Sequence, residues 1–285
     1  MIALFARSVK EDDIPYIELL ISKIKSSGMK VGMYQMLFEQ IKSAIDVADI
    51  EIFGDNCTLK HSDYLFSLGG DGTLLSAAAF LFENNCRTDI PVLGINFGRL
   101  GFLTSVGKNE LDNLCNNIIK GQFTIENHSL LQWGTRFALN DICLRADKSG
   151  QMLDINVFID EQYLTTYTAD GLIIASPTGS TAYSLSCGGP IIAPNAQCLC
   201  ITPIAPHNLT FRPLIIPDNQ RITLEVKRSR SNIVLLMDSH CFDVDIKERF
   251  EIGKASLGIK LMRLGGQNFF SAIGNKLMWG KNLLP

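Results

Sequence analysis

The sequence of 285 residues is 46% hydrophobic and 19% charged, a composition that excludes a disordered chain, because such chains bury too little apolar surface to offset the entropy lost on folding. Its formal net charge of −3 gives no electrostatic reason to expect nucleic acid or an anionic membrane as a partner. No stretch approaches the ~20 apolar residues of a membrane span. The sequence therefore predicts a soluble cytoplasmic protein, and at ~150 residues per domain its length predicts about two domains.

The cysteines give no pattern of a disulfide framework or a metal site. Eight are present, without a CxxC motif, and the closest pair is Cys198 and Cys200. Alternate residues of a strand point to opposite faces of the sheet, so this pair does not form a ligand set. We predict that the cysteines are small buried side chains in a reducing compartment.

The first 120 residues alternate between strand and helix patterns. Isoleucines and leucines recur at helical spacing from residue 14 to 24, behind Asp12 and Asp13 as candidate caps. Strands separated by helices predict a parallel sheet with helices on both faces. The predicted strands are residues 2–6, 30–34, 63–68 and 91–96, and the predicted helices are residues 14–24, 36–45, 73–82 and 110–119.

Near residue 122 the period changes to two, as in the alternation of Ile155, Val157 and Ile159 with polar neighbours. Many short segments of this kind predict a mainly β domain over residues 123–264. One short helix is expected at 181–187, before the Gly188-Gly189-Pro190 stop. The tail, residues 265–285, has helix-like residues at 276–279, and we expect it to pack back on the α/β domain of residues 1–122.

The sharpest local feature is a hydrophobic strand that ends in Gly69-Gly70-Asp71-Gly72-Thr73 before a helix. Glycines there let backbone N–H groups approach phosphate oxygens, and a helix N-terminus favours negative charge. Gly69, Gly70 and Thr73 are therefore candidates for a phosphate loop. Asp71 fits a proton acceptor for a substrate hydroxyl or an indirect metal anchor. The alternative is an ordinary turn in which Asp71 caps the helix.

A second chemical feature spans residues 170–190. A buried strand at 172–175 leads into a turn of small hydroxyl residues at 176–181 and then into a short helix. Such a turn suits a polyol or a phosphate. Asp170 could accept hydrogen bonds from an amide or a ribose, and Tyr183 could stack on a base. The alternative is a helix entry with Ser180 as its N-cap.

GGDGT resembles a motif of NAD kinases, of diacylglycerol and sphingosine kinases and, in a variant, of phosphofructokinases, which all phosphorylate alcohols. Residues 170–190 resemble the long NAD kinase signature DGLIIxTPTGSTAYSLSxGGPI. Four further segments resemble that family in its order: residues 96–102, Asn140-Asp141, residues 201–214 and residues 276–280. The chain thus resembles bacterial-type NAD kinases over nearly its whole length, which implies the NAD kinase/diacylglycerol kinase-like fold.

The resemblance implies transfer of a phosphoryl group from ATP, or from another donor such as polyphosphate, to the 2′-hydroxyl of the adenosine ribose of NAD. Asp71 would be the proton acceptor, Mg²⁺ would arrive with ATP rather than in a protein metal site, and the assembly would be a homodimer or homotetramer. His240 would be either a ligand contact or a structural histidine. The implied NAD-binding residues are Asp71, Gly72, Asn140, Asp141, Asp170, Thr181, Ala182, Tyr183, Ser184, Leu185, Ser186, Ala205 and His240.

Two other functions compete with NAD phosphorylation. A lipid kinase would share GGDGT, but the 170–190 segment and the lack of a basic or amphipathic membrane segment disfavour it. A non-catalytic dinucleotide sensor would keep the NAD-binding residues, but retention of Asp71 disfavours that function. The candidate residues lie on both predicted domains, so phosphoryl transfer would need groups from each.

Overall fold

The computed structural model describes residues 1–54, 59–83, 86, 88–98, 101–148, 150–264 and 268–280. The chain forms two compact units. Unit 1 comprises Met1–Asn127 together with the chain from Ile259 onward, and unit 2 comprises His128–Gly258. Within the described ranges, none of the helices is both long and apolar enough to cross a membrane.

Unit 1 is built on a parallel sheet with the strand order β5-β4-β1-β2-β3. In the centre, Ile2 lies opposite Val31 on one side and Tyr64 on the other. The elements are β1 (Ile2–Phe5), α1 (Ile14–Ser26), β2 (Val31–Tyr34), α2 (Gln35–Ile41), β3 (Ile50–Phe53), β4 (Tyr64–Leu68), α3 (Asp71–Glu83), β5 (Val92–Asn96), β6 (Val106–Gly107) and α4 (Leu111–Ile119).

Helices cover both faces of this sheet. Leu4 of β1 belongs to the core cluster that contains Ile17 of α1 and Leu114 of α4. Its neighbour Phe5 points to the opposite face, since side chains alternate along a strand. There its ring lies 5.3 Å from that of Phe80 on α3. The predicted α/β class with helices on both faces is confirmed, and the continuous apolar runs of β1, β4 and β5 follow from burial on both sides.

Unit 2 consists mainly of two antiparallel sheets, in the orders β14-β13-β12-β9-β16-β17 and β11-β10-β15-β18. This confirms the predicted mainly β class. The first strand, β7 (Phe123–Trp133), and the last, β18 (Arg249–Leu264), also extend into unit 1. The other elements are β8 (Arg136–Ala138), β9 (Asp141–Ala146), β10 (Leu153–Ile159), β11 (Gln162–Ala169), β12 (Gly171–Ala175), α5 (Tyr183–Ser186), β13 (Cys198–Ile204), β14 (Leu214–Pro217), β15 (Ile222–Arg228), β16 (Ile233–Met237) and β17 (His240–Val244).

Apolar residues from both sheets of unit 2 fill one core. Ile155, Leu172, Leu224, Leu235 and Phe250 are each fully buried and belong to a single apolar cluster. They come from five strands, β10, β12, β15, β16 and β18. The alternation in the sequence identified Ile155 and Leu224 of this core, whereas Leu172 and Leu235 lie in continuous apolar runs.

The chain ends in unit 1. Leu261, near the end of β18, pairs in parallel with Val92 of β5. After β18 comes α6 (Phe269–Lys276), whose N-cap Asn268 accepts a hydrogen bond from the Ser271 N–H. The helix predicted at 276–279 is therefore misplaced, because the capping box at Asn268 and Ser271 starts it seven residues earlier. Residues 265–267 and 281–285 of the predicted tail lie outside the described ranges.

Several predicted boundaries in unit 1 are wrong. Strand β3 was not predicted, because exposed Glu51 and Ile52 on this edge strand break the apolar pattern. Helix α2 ends at Ile41 rather than at residue 45, and α3 begins at Asp71 rather than at Thr73. Asp13 is the N-cap of α1, but its side chain makes no capping hydrogen bond.

The prediction of eight free, buried cysteines is wrong at Cys86 and Cys241, and Cys187 and Cys198 are free but only partly buried. Cys86 is disulfide-bonded, and Cys241 is exposed because it occupies an outward position of the alternating strand β17. Cys115, Cys143 and Cys200 are free and buried, as predicted. Cys57 lies outside the described residues.

Truncating a core aromatic side chain of unit 1 tests the packing of the sheet. Phe66 on β4 is 0% exposed, whereas Phe270 on α6 is 74% exposed. We expect Phe66→Ala to lower the free energy of unfolding by about 3–5 kcal/mol through lost burial and a residual cavity. Phe270→Ala, the matched control, should cost under about 1 kcal/mol. Urea unfolding followed by circular dichroism measures both, and equal effects would contradict the assigned core.

Candidate functional site

The glycine-rich turn connects β4 to α3 in a conformation that needs Gly69. Its φ is +147°, which L side chains rarely adopt, and a Cβ there would collide with the side chain of Thr73. The Gly69 N–H donates to the carbonyl of Ile95 on the neighbouring strand, at 2.8 Å. The Gly70 carbonyl accepts hydrogen bonds from the N–H groups of Thr73 and Leu74. This turn lets the helix begin directly at Asp71.

The Asp71 carboxylate binds a loop rather than its own helix. Its Oδ2 accepts a hydrogen bond from the Phe102 N–H at 2.6 Å. Its Oδ1 accepts from the N–H groups of Leu103 and Thr104, at 3.2 and 3.0 Å, and from the Thr104 hydroxyl at 3.1 Å. We call residues 101–104 the Asp71 loop. These hydrogen bonds attach residues 102–104 to the Asp71 side chain, which the alternative of a plain helix cap did not predict.

The Asp71 loop is held from its other side as well. Arg263 donates to the carbonyl oxygens of Leu103 and Phe102, at 2.9 and 3.1 Å, while its Nε pairs with Glu126 at 2.9 Å. Gly101 lies so close to Asp71 that a Cβ on it would collide with the carboxylate. The loop thus places its backbone donors around one carboxylate. Arg99 and Leu100, which precede it in the predicted family turn, lie outside the described residues.

In unit 2, the partly buried Asp238, which the motifs did not identify, holds Asn140 and Asp141. Asp238 accepts hydrogen bonds from the N–H groups of Leu139, Asn140 and Asp141, at 2.7, 2.8 and 3.2 Å. Asp238 lies between β16 and β17 with a φ of +49°. The available signal was a polar residue of a type that tolerates positive φ, directly after the apolar run of residues 233–237.

The same carboxylate changes the chemistry of Asp141. Burial and the nearby negative charge of Asp238 raise the pKa of Asp141 to about 7, although a hydrogen bond from the Tyr183 N–H opposes the shift. Burial also raises the pKa of Asp238, and its three backbone hydrogen bonds and His240 oppose that shift. Asp141 can therefore be a hydrogen-bond donor or acceptor near neutral pH.

The hydroxyl-rich turn is attached directly to the Asn140 segment. The Ser176 N–H donates to the Asn140 carbonyl at 2.9 Å, and the Ser176 hydroxyl donates to the Leu139 carbonyl at 2.6 Å. Gly179 lies against the Asn140 backbone, where a Cβ would collide with the Asn140 carbonyl. The structure thus brings Asn140 and Asp141 together with this turn.

Most hydroxyl groups of the turn and of the short helix after it form hydrogen bonds within the protein. Ser180 is not a cap, since its hydroxyl bonds to the backbone of Ile192 at 3.0 and 3.2 Å. The Thr178 hydroxyl lies 2.8 Å from Nδ1 of His128. Ser184 is buried and its hydroxyl pairs with that of Thr202 at 2.8 Å. Of the implied NAD-binding segment, Tyr183 and Ser186 are exposed, while Thr181, Ala182 and Leu185 are partly buried.

A cavity of about 140 Å³ in unit 2 brings Asp170 and Tyr183 together. Arg145 and Lys148 also line it, which adds two cations that the sequence analysis missed. Alternation along β9 gave a signal for the first, because Asp141, Cys143 and Arg145 share one strand face. Positive charge near the two candidate residues suits an anionic ligand.

The remaining implied residues lie elsewhere. Ala205 is exposed directly after β13, with a φ of +44°. His240 is partly buried at the start of β17, and its charge opposes the rise in the pKa of Asp238. Neither residue is among those that line the Arg145 cavity. Gly72 is exposed in the first turn of α3, and nothing lies within 4 Å of the position a Cβ would take.

Adding a methyl group at Gly101 tests the contact between the Asp71 loop and the Asp71 carboxylate. We expect Gly101→Ala to displace the carboxylate and to lower the free energy of unfolding by about 1–3 kcal/mol, the usual cost of overpacking. Gly274→Ala is the matched control, because open space surrounds Gly274 on α6, and it should stabilise by up to about 1 kcal/mol. Thermal unfolding of both variants provides the measurement, and an unaffected Gly101→Ala protein would refute the contact.

The raised pKa of Asp141 predicts a pH-dependent stability. Between about pH 4 and 7 the folded state binds more protons than the unfolded state, so this group's contribution declines as pH rises through 7. The free energy of unfolding of Asp141→Asn, relative to that of wild type, should therefore increase as the pH rises from 5 to 8. Urea unfolding across this range measures the difference, with Asp243→Asn at an exposed position of β17 as control. A stability difference between Asp141→Asn and wild type that does not change with pH would contradict the raised pKa of Asp141.

Two family models match the chain. The ATP-NAD kinase N-terminal domain matches residues 22–123, and the ATP-NAD kinase C-terminal domain matches residues 139–264. Curated relatives named NAD kinase include a protein of Flavobacterium johnsoniae, 36% identical over 99% of this chain and 98% of the relative. Another, of Porphyromonas gingivalis, is 37% identical over 98% of each chain. The resemblance predicted from the motifs is thereby confirmed.

Solved structures agree with this assignment. A crystal structure of yeast NADH kinase complexed with NADH superposes with a TM-score of 0.89 at 25% identity, covering 99% of this chain and 89% of that one. An NAD kinase from Archaeoglobus fulgidus in complex with ATP gives a TM-score of 0.75 at 22% identity, covering 98% and 99%, and supports the fold. On these findings the chain belongs to the NAD kinase family.

Proposed function

We propose that the protein transfers the terminal phosphoryl group of ATP to the 2′-hydroxyl of the adenosine ribose of NAD, which yields NADP and ADP. The observation that carries this proposal is a relationship to NAD kinases over 98–99% of the chain, which includes both units. The yeast structure contains NADH and the archaeal structure ATP, which supports the same pair of substrates here.

Asp71 is the proposed proton acceptor, and its hydrogen bonds favour one of its two carboxylate oxygens for this role. Each carboxylate oxygen has about two lone pairs. Oδ1 already accepts from Leu103 and from both donors of Thr104, whereas Oδ2 accepts only from Phe102 among the described contacts. Oδ2 therefore has a lone pair with which to bind the ribose hydroxyl.

The order of events follows from acidity. A ribose hydroxyl is a far weaker acid than a carboxylic acid, so its proton moves to Asp71 late, as the new bond to phosphorus forms. The bond between the terminal phosphorus and the bridging oxygen breaks, the bond to the 2′-oxygen forms, and ADP leaves. Asp71 thus mainly orients the hydroxyl in the ground state.

The turn at Gly69–Gly70 supplies the proposed phosphate loop. The first N–H groups of α3 precede its first internal hydrogen bonds, and they point out of the helix with the positive end of its dipole. The open space at Gly72 allows a phosphate to approach the backbone. The loop also includes Gly69, Gly70 and Thr73, which shape the turn: the N–H groups of Gly69 and Thr73 already donate to the carbonyls of Ile95 and Gly70, so the donors at the start of α3 would be the N–H groups of Asp71 and Gly72.

The unit 2 residues are proposed to bind NAD. Asn140 and Asp141 present an amide and a carboxyl group on a segment fixed by Asp238. Asp170 and Tyr183 line the cavity that also contains Arg145, whose charge would favour a pyrophosphate. The proposed set is completed by Thr181, Ala182, Ser184, Leu185, Ser186, Ala205 and His240.

Mg²⁺ is proposed to enter with ATP. The described residues contain no group of three His, Cys, Asp or Glu side chains that could hold a metal ion, and Mg²⁺ is commonly bound by substrate phosphates, waters and one or two carboxylates. When bound it would neutralise phosphate charge. A cytoplasmic location and a homodimeric or homotetrameric assembly remain predictions from the sequence.

Removing the negative charge of Asp71 tests the proposed phosphorylation of NAD. We expect Asp71→Asn to reduce NADP formation by about 100-fold or more, the usual scale of general-base catalysis, while the Kd for NAD changes by less than about threefold. Asp112→Asn, at an exposed position of α4, should retain wild-type turnover. An enzymatic cycling assay measures NADP, and isothermal titration calorimetry measures NAD binding.

Three results would contradict parts of this proposal. Wild-type turnover in Asp71→Asn would remove Asp71 from the reaction. NAD binding without NADP formation by the wild type would indicate a sensor. Phosphorylation of diacylglycerol in vesicles, without NADP formation, would indicate a lipid kinase.

A further inference from the structure

A second cavity, of about 170 Å³, lies in unit 1 beside the Asp71 loop. Three of its lining residues contact the Asp71 carboxylate: the Phe102 N–H donates to Oδ2, the Thr104 hydroxyl donates to Oδ1, and Gly101 lies against the carboxylate. The cavity is therefore separated from the carboxylate of the proposed proton acceptor only by the residues that line it. Its polar lining consists mainly of Thr104, Arg263, Asn268, Ser271, Asn275 and Lys276.

The ammonium group of Lys276 has no hydrogen-bond partner in the part of the chain that the structure describes, although it is shielded from solvent. It lies 4.7 Å from the centroid of the Phe102 ring. Burial lowers the pKa of Lys276, and the charge of Arg263 adds to this, while Asp71 opposes it. The face of the Phe102 ring offsets part of the cost of burying this charge. The three N–H donors of the ammonium still lack a hydrogen-bond acceptor among the described residues, and unpaired buried donors are costly.

Arg263, the other cation of this cavity, is already engaged. It donates to two carbonyls of the Asp71 loop and pairs with Glu126. Its role is therefore to hold the loop. Lys276, by contrast, has donors for an anionic ligand.

We propose that this cavity binds the terminal phosphate of the phosphoryl donor, with Lys276 Nζ donating to its non-bridging oxygens. The inference rests on the proposed function and extends it to a residue on α6. Asn268 and Asn275 offer neutral amide donors beside the ammonium. A cation at this place would stabilise the charge that spreads over the phosphoryl oxygens while the bond to ADP breaks and the bond to the ribose oxygen forms.

Replacing Lys276 separates this role from a structural one. We expect Lys276→Met to lower kcat/KM for ATP by about 10- to 100-fold, the value of one hydrogen bond to a charged group. The Kd for NAD should stay within about twofold. The melting temperature without ligand should be equal or higher, because the substitution removes an unpaired buried charge. Lys276→Arg should retain part of the activity, and Lys42→Met, at an exposed ion pair of α2, should behave as wild type.

Calorimetry with inorganic triphosphate makes the result independent of NAD turnover. Binding by the wild type and at least tenfold weaker binding by Lys276→Met would support the phosphate site, even if NAD proved not to be the acceptor. Equal triphosphate binding by both proteins, or none by the wild type, would overturn the inference. So would a Lys276→Met protein that loses NAD affinity but keeps its KM for ATP, since the cavity would then bind the dinucleotide.

Discussion

The hydrogen bonds between the Asp71 carboxylate and residues 102–104 are the constraint on which the unit 1 site depends. They fix the side chain that we propose as the proton acceptor, and they require a glycine at 101 because any Cβ would occupy the position of the carboxylate. Arg263 holds the same loop from behind through two backbone carbonyls. The carboxylate is thus positioned by backbone donors, which would limit the entropy lost when a substrate binds.

In unit 2, a carboxylate likewise accepts several backbone hydrogen bonds, but it fixes residues that we propose to bind NAD. Asp238 accepts three backbone N–H groups and so fixes the segment that carries Asn140 and Asp141. The arrangement leaves Asp141 buried beside a second carboxylate, which raises the pKa of Asp141 to about 7. Strain and unfavourable charge of this kind commonly mark functional sites, and in this protein they coincide with residues that the motifs had identified.

The sequence predicted the classes of both parts of the chain because their hydrophobic periods differ. It could not predict β3, since edge exposure breaks the apolar pattern at Glu51 and Ile52, nor the start of α6, which depends on the cap at Asn268. The site motifs identified Asp71 and Asp141 but not their partners. Asp238 is distant in sequence from Asp141, and Lys276 from Asp71, so only the tertiary fold brings each pair together.

The central claim is that the site phosphorylates the ribose 2′-hydroxyl of NAD. Phosphorus NMR of a mixture of the purified protein, NAD, ATP and Mg²⁺ tests it directly, because it reports both the donor and the position of the new phosphate. We expect loss of the ATP γ-phosphate signal with stoichiometric growth of a 2′-phosphomonoester signal. An unchanged NAD spectrum, or a phosphomonoester at another hydroxyl, would contradict it.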